Sequence, residues 1–146
     1  MARRVLDELT TAAATTKRGY ARPRPIAEGA TFQHFLGEAD QKLRAAKALM
    51  LASGIALMEA VDAQGHTTPA QEAETRAAAA FATKMAVDVV HDVARFAGGA
   101  AVRMGQTLEQ AMRDVTMAST HVLVGESAFE NHGQFQLGIP GADPMA

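Results

Sequence analysis

The stretch FQHFLGEADQKLRAAKALMLASGIALMEA, Phe32 to Ala60, decides the fold class. Phe32, Leu36, Ala39, Leu43, Ala46, Met50, Ser53, Leu57 and Ala60 recur in alternating steps of four and three residues. A helix completes a turn every 3.6 residues or so, so this spacing lays one continuous apolar stripe along a single long helix. A strand would need alternation by two, and that period is almost absent from the chain.

Working outward, DAQGHTTPAQ (62–71) breaks the helix and starts another. Gly65 can end the first, Thr68 can cap the second, Pro69 fits its first turn and Gln71 completes a capping box. The second helix runs to about Ala97. It sets Ala78, Ala82, Met85, Val89, Val93 and Phe96 against a polar stripe of Lys84, Asp88, His91 and Arg95, whose spacing favours surface ion pairs. Gly98-Gly99 interrupts, and Thr107 with Gln110 reads as another capping box opening a further helix. On the N-terminal side, residues 2–17 read as a helix with Val5, Leu9 and Ala12 on one face, followed by a basic linker over 17–28 broken by Gly19, Pro23 and Pro25. A short last helix over 126–132 is expected to stop at Gly133. The expectation is an all-α, up-and-down antiparallel bundle of about four main helices. Residues 1–28 form its N-terminal helix and linker, 29–138 the bundle and 139–146 a flexible tail.

Composition excludes several functions. The 146 residues suit one domain with its own core, and the formal charge of −2 offers no basic excess for nucleic acid or an anionic membrane. Without cysteine there is no disulfide, thiolate metal site or cysteine nucleophile, and no Gly-x-Ser-x-Gly elbow supplies a serine one. The longest apolar run, Ala48–Met58, is about half a bilayer span, and Arg3 and Arg4 lead into Asp7 and Glu8 rather than an apolar signal segment. The reading is cytoplasmic and not membrane-bound. Five histidines invite a metal, but the paired Glu-x-x-His motifs of di-iron bundles are missing. No metal is expected.

From Phe32 to Gly138 the chain resembles the C-terminal helical domain of the acyl-CoA dehydrogenase superfamily, and within it the flavin-dependent monooxygenase branch. The resemblance is carried by AAKALMLASGIALMEAV (45–61), FAGGAAV (96–102), LEQAMRDV (108–115), STH (119–121) and ENHGQFQLG (130–138). Gln110 departs from the pattern, since many relatives have arginine there. Family enzymes also carry an N-terminal helical domain and a β-barrel before this one. The resemblance implies that the flavin lies between barrel and helical domain, so the domain alone would be half a site. It implies as cofactor FMN or FAD, reduced by a separate flavin reductase, and as partners that reductase, a chain carrying the missing domains, and further copies in a dimer or tetramer.

The resemblance also orders the candidate residues. Acyl-CoA dehydrogenases of the common type place a catalytic glutamate about nine residues after the arginine of Arg-Asp. Counted from Arg113, that position is Val122, which cannot act as a base. The monooxygenase branch instead has a histidine near the flavin, and His121 stands at that point. Histidine titrates near neutrality, so it can take a proton from a substrate phenol or donate a hydrogen bond at the flavin. The plainer reading is a helix-end histidine with Ser119 and Thr120 as local partners. Arg22 and Arg24 can meet a flavin phosphate or belong to a solvated loop. Gly98 and Gly99 can admit a phosphate to the backbone or simply end a helix. Arg113 and Asp114 read as structural pairs at the bundle seam or a subunit interface. The function expected is reduced-flavin monooxygenation. The alternatives are an acyl-CoA dehydrogenase-type domain and a non-catalytic helical oligomerisation module.

Overall fold

A computed structural model describes residues 1–19, 23–99 and 103–146. Among the described residues the fold is all-α apart from one minimal ladder. Its helices are α1 (Ala2–Ala13), α2 (Ala30–Gln64), α3 (Pro69–Ala97), α4 (Thr107–Ser119) and the short α5 (Ser127–Gln136). The strands β1 (Lys17–Arg18) and β2 (Arg24–Pro25) pair antiparallel. Single 3₁₀ turns lie at Ile26–Glu28 and Val122–Val124. The chain divides into two compact bodies, one of Met1–Arg44 with Ala86–Thr116 and one of Ala45–Met85 with Met117–Ala146.

The first body is built around α1. Val5, Leu6 and Leu9 are buried with Ile26, Phe32, Phe35, Val89, Val90, Val93, Leu108 and Val115. Phe35 stacks on Phe96 at 4.6 Å between ring centres and Phe32 meets Phe96 edge-on at 5.4 Å, geometries that the ring quadrupole favours. Helix α1 and Ile26, within the N-terminal helix and linker of the sequence reading, thus supply part of this core. Each large side chain buried there contributes about 1.5–3 kcal/mol. In the second body the buried positions are mostly small: Ala46, Ala60, Ala73, Ala77, Ala78, Ala80 and Ala128. Small residues let helices approach closely.

Helix ends follow local chemistry, with corrections. Gly65 takes a φ of +77° and closes α2, while Thr68 N donates to Gln71 Oε1 at 2.9 Å and Gln71 N donates back to Thr68 Oγ1 at 3.3 Å. The expected box at α4 does not form. Thr107 lies inside the helix, and Gly105 N reaches Glu109 Oε2 at 3.4 Å instead. The expected helix 2–17 ends at Ala13, because Thr16 O is taken by Ile26 N at 2.9 Å, which extends the β1–β2 ladder. Gly133 does not stop the last helix. Termination comes at Gly138, φ +64°, where Gly138 N donates to Phe135 O and Ile139 N to Gln134 O, the two bonds of a Schellman cap. The expected tail is tied to its own body, with Arg76 Nη1 donating to Pro144 O and Asn131 Nδ2 to Ala146 O, both at 2.8 Å.

Candidate functional site

In the second body, His121 stands where α4 gives way to a 3₁₀ turn. Thr120 Oγ1 donates to Met117 O at 2.8 Å, the local competition by which threonine loosens a helix end. His121 then turns extended, with φ −71° and ψ 133°, and its ring Nδ1 accepts from Leu123 N at 3.2 Å. A ring nitrogen that accepts must be unprotonated, so neutral His121 carries its proton on Nε2. The ring is exposed. In this pose its Nε2–H edge can donate a hydrogen bond. Taking a proton at Nδ1 would require that contact to be released.

The residue that fixes this turn is Arg76 on α3, which the sequence reading passed over. It is only 8% exposed. Its Nη2 donates to Val122 O and Ser127 Oγ, both at 3.0 Å, its Nε to Leu123 O at 3.3 Å and its Nη1 to Pro144 O. All four acceptors are neutral oxygens, three of them backbone carbonyls. The rigid fork of a guanidinium suits such a role, since several N–H groups leave in one plane. The available signal was positional. Arg76 shares a helix face with the buried Ala73, Ala77 and Ala80, where an arginine must find internal acceptors. Nearby, Lys84 reaches Glu126 at 3.6 Å and lies 5.9 Å from the centre of the Phe129 ring.

In the first body, the β1–β2 ladder sets Arg18 directly opposite Arg24. Arg18 caps the end of α3, its Nη2 donating to Phe96 O at 2.7 Å and its Nη1 to Arg95 O at 3.3 Å. Gly98 has a φ of +82°, and a Cβ there would lie 3.2 Å from Arg18 Nη2. Gly98 therefore ends the helix and makes room for the capping guanidinium. The Arg24 guanidinium is exposed and makes no hydrogen bond or ion pair among the described residues. Arg18 and Arg24 line an open depression of about 420 Å³ with Glu28, Thr31, Phe32 and Phe96. Like charges facing each other across a ladder are unfavourable, and a bound anion would relieve them. Arg24 and Gly98 thus both adjoin Arg18. Gly99 is exposed with open space around it, and Arg22 lies outside the described residues.

The Arg113-Asp114 pair does not close on itself. Arg113 Nη1 lies 3.3 Å from Glu109 Oε1 one turn back on α4, an exposed contact, and Asp114 is half-buried. Gln110 and His91 are exposed. A narrow apolar cleft of about 200 Å³ lies along α1, lined by Val5, Leu9, Val93 and Leu108, and is smaller than the cavities that enclose cofactor-sized ligands. Among the described residues no three His, Asp or Glu side chains converge as a metal site, and no helix is long and apolar enough to cross a membrane.

The family described as acyl-CoA dehydrogenase, C-terminal domain, matches residues 1–126. A pigment production hydroxylase from a Rhodococcus species is 30% identical over 78 residues, covering 53% of this chain and 20% of the hydroxylase. The solved structure of XiaF from a Streptomyces species, in complex with FADH2 and glycerol, superposes with a TM-score of 0.88 at 17% identity. That match covers 99% of this chain and 36% of XiaF. The chain thus spans a fifth of the hydroxylase and about a third of XiaF. At this identity the likeness to XiaF speaks for the fold.

Proposed function

The chain belongs to the acyl-CoA dehydrogenase C-terminal domain family, and on that premise we propose that it is the helical domain of a flavin-dependent monooxygenase. The enzyme would work in the cytoplasm and take reduced FMN or FAD from a separate reductase. The observation that carries this reading is His121, an exposed imidazole whose Nδ1 is engaged by Leu123 N and whose Nε2–H is left to donate. Next to it, Val122 offers no carboxylate for dehydrogenase chemistry. The pigment production hydroxylase points the same way.

Each body by itself offers a group that suits part of a flavin. In the first, the unpartnered guanidinium of Arg24, opposite Arg18, would hold a phosphate through charge-assisted hydrogen bonds. In the second, the exposed His121 would present its Nε2–H to a flavin's reacting edge. Bound reduced flavin would supply the oxygen chemistry, while this chain orients the cofactor and holds one proton at a fixed atom. The barrel domain of such enzymes would complete the pocket.

The test is an anaerobic titration of the isotope-labelled chain with reduced FAD and reduced FMN, followed by NMR. The reading expects shifts at Arg24 and at the His121 ring, with those at Arg24 lost in Arg24→Glu. Millimolar flavin that moves neither would overturn it. A second reading, that the domain is also an assembly module forming dimers or tetramers, is favoured by the exposed Leu51, Ile55 and Met58 on α2.

A further inference from the structure

Within the first body, α1 meets the end of α3 and the start of α4 without filling the space between them. Val5 and Leu9 of α1, Val93 and Phe96 of α3 and Leu108 of α4 wall a half-open cleft of about 200 Å³. Where α1 and α3 approach their ends, both present alanine to the cleft, Ala12 and Ala97, which leave room that a larger side chain would fill. An apolar cavity of about 150 Å³ takes up a benzene ring, because water inside it finds too few hydrogen-bond partners. The cleft is of that order.

Its aromatic wall is fixed in advance. Phe96 stacks on Phe35 at 4.6 Å and meets Phe32 edge-on at 5.4 Å, so a ring entering the cleft meets a side chain with little freedom left to lose.

Two polar residues that line the cleft say what such a ring carries. Glu8 uses Oε1 to accept from Arg4 Nε at 2.9 Å, and its Oε2 accepts no hydrogen bond among the described residues. Thr16 differs from its neighbours. Thr10, Thr11 and Thr15 each turn the hydroxyl back onto a carbonyl of α1, whereas the Thr16 hydroxyl has no partner among the described residues. A carboxylate oxygen only accepts, so the group it selects is an N–H or O–H donor, and its charge disfavours an anion.

We propose that this cleft is a binding site for a small, planar, apolar molecule of one ring that carries an N–H or O–H donor and no negative charge. The ring lies against Phe96 between α1 and α3, and its donor meets Glu8 Oε2. Neither Arg24 nor His121 lines the cleft, so this site and the flavin reading stand or fall separately.

The experiment is an NMR titration of the 146-residue chain, isotope-labelled in its methyl groups, with aniline, toluene and benzoate. Aniline should saturate at millimolar concentration or below and move the methyls of Val5, Leu9, Val93 and Leu108, while Val61 and Ile139 of the second body stay in place. Toluene should bind at least about threefold more weakly and benzoate at least about tenfold. Ala12→Leu fills the cleft with a residue that suits a helix and should abolish the aniline shifts. The exposed Glu8 allows a second variant that leaves the core untouched. Glu8→Ala should bring aniline down to the affinity of toluene without weakening toluene. Aniline that moves none of the four methyls at tens of millimolar, or moves them in Ala12→Leu as in wild type, would overturn the site. Equal binding of aniline and toluene by wild type would overturn its selection of a donor.

Discussion

Arg76 shows how a single buried side chain can hold the turn that follows His121. Arg76→Leu removes the donors of Val122 O, Leu123 O and Pro144 O and should lower unfolding free energy by about 2–4 kcal/mol in urea. Arg76→Lys should recover part of it. A loss below about 1 kcal/mol would mean that water replaces the guanidinium. The same substitution should change the nitrogen shifts of the His121 ring, which Arg76 fixes through the turn and not by contact. His121 was singled out from the sequence through the family resemblance and the position of Arg113. Arg76 was not, because its acceptors lie 46 to 68 residues away in the chain and no local pattern announces them. Gly98 was legible as a helix stop. Its closeness to Arg18 was hidden for the same reason.

At the scale of elements, the sequence was read best where one residue type does one physical job. The α2 stripe and the Thr68–Gln71 box were legible because period and capping are local. Thr68→Ala should cost about 1 kcal/mol by thermal or urea unfolding. The end of α5 was misread because a glycine was taken as a stop without regard to its backbone. Gly133 sits inside the helix with open space at its Cβ, whereas Gly138 holds the left-handed position. Gly133→Ala should therefore stabilise by up to about 1 kcal/mol and Gly138→Ala should destabilise by a similar amount. Equal effects at the two would contradict the Schellman cap. The surface pair Glu38–Lys42, at 2.8 Å, is sensitive to acid. The hydrogen bond and charge of Lys42 hold the Glu38 carboxyl below its usual range, and the bond to Glu38 raises Lys42. The Glu38 contribution is thus present at neutral pH and lost as pH falls through its lowered value. Unfolding midpoints of wild type and Glu38→Gln should differ slightly at pH 7 and converge in strong acid.

At the scale of the whole molecule, helical class and family were legible because the helix period and the motif spacing survive in one chain. The division into two bodies was not, since both α2 and α3 pass from one to the other without a break in pattern. The outer face of α2 was also overlooked. Leu51, Ile55 and Met58 were read as part of one apolar run, and only the burial of the opposite stripe shows that they are left uncovered. The central claim is that this domain serves flavin monooxygenation through His121. Its most direct test is the coupling ratio, product formed per reduced flavin oxidised, in the assembled oxygenase that contains this domain. For His121→Ala the account predicts a coupling ratio reduced at least about tenfold, with flavin oxidation continuing and hydrogen peroxide released instead. Coupling equal to wild type would contradict it.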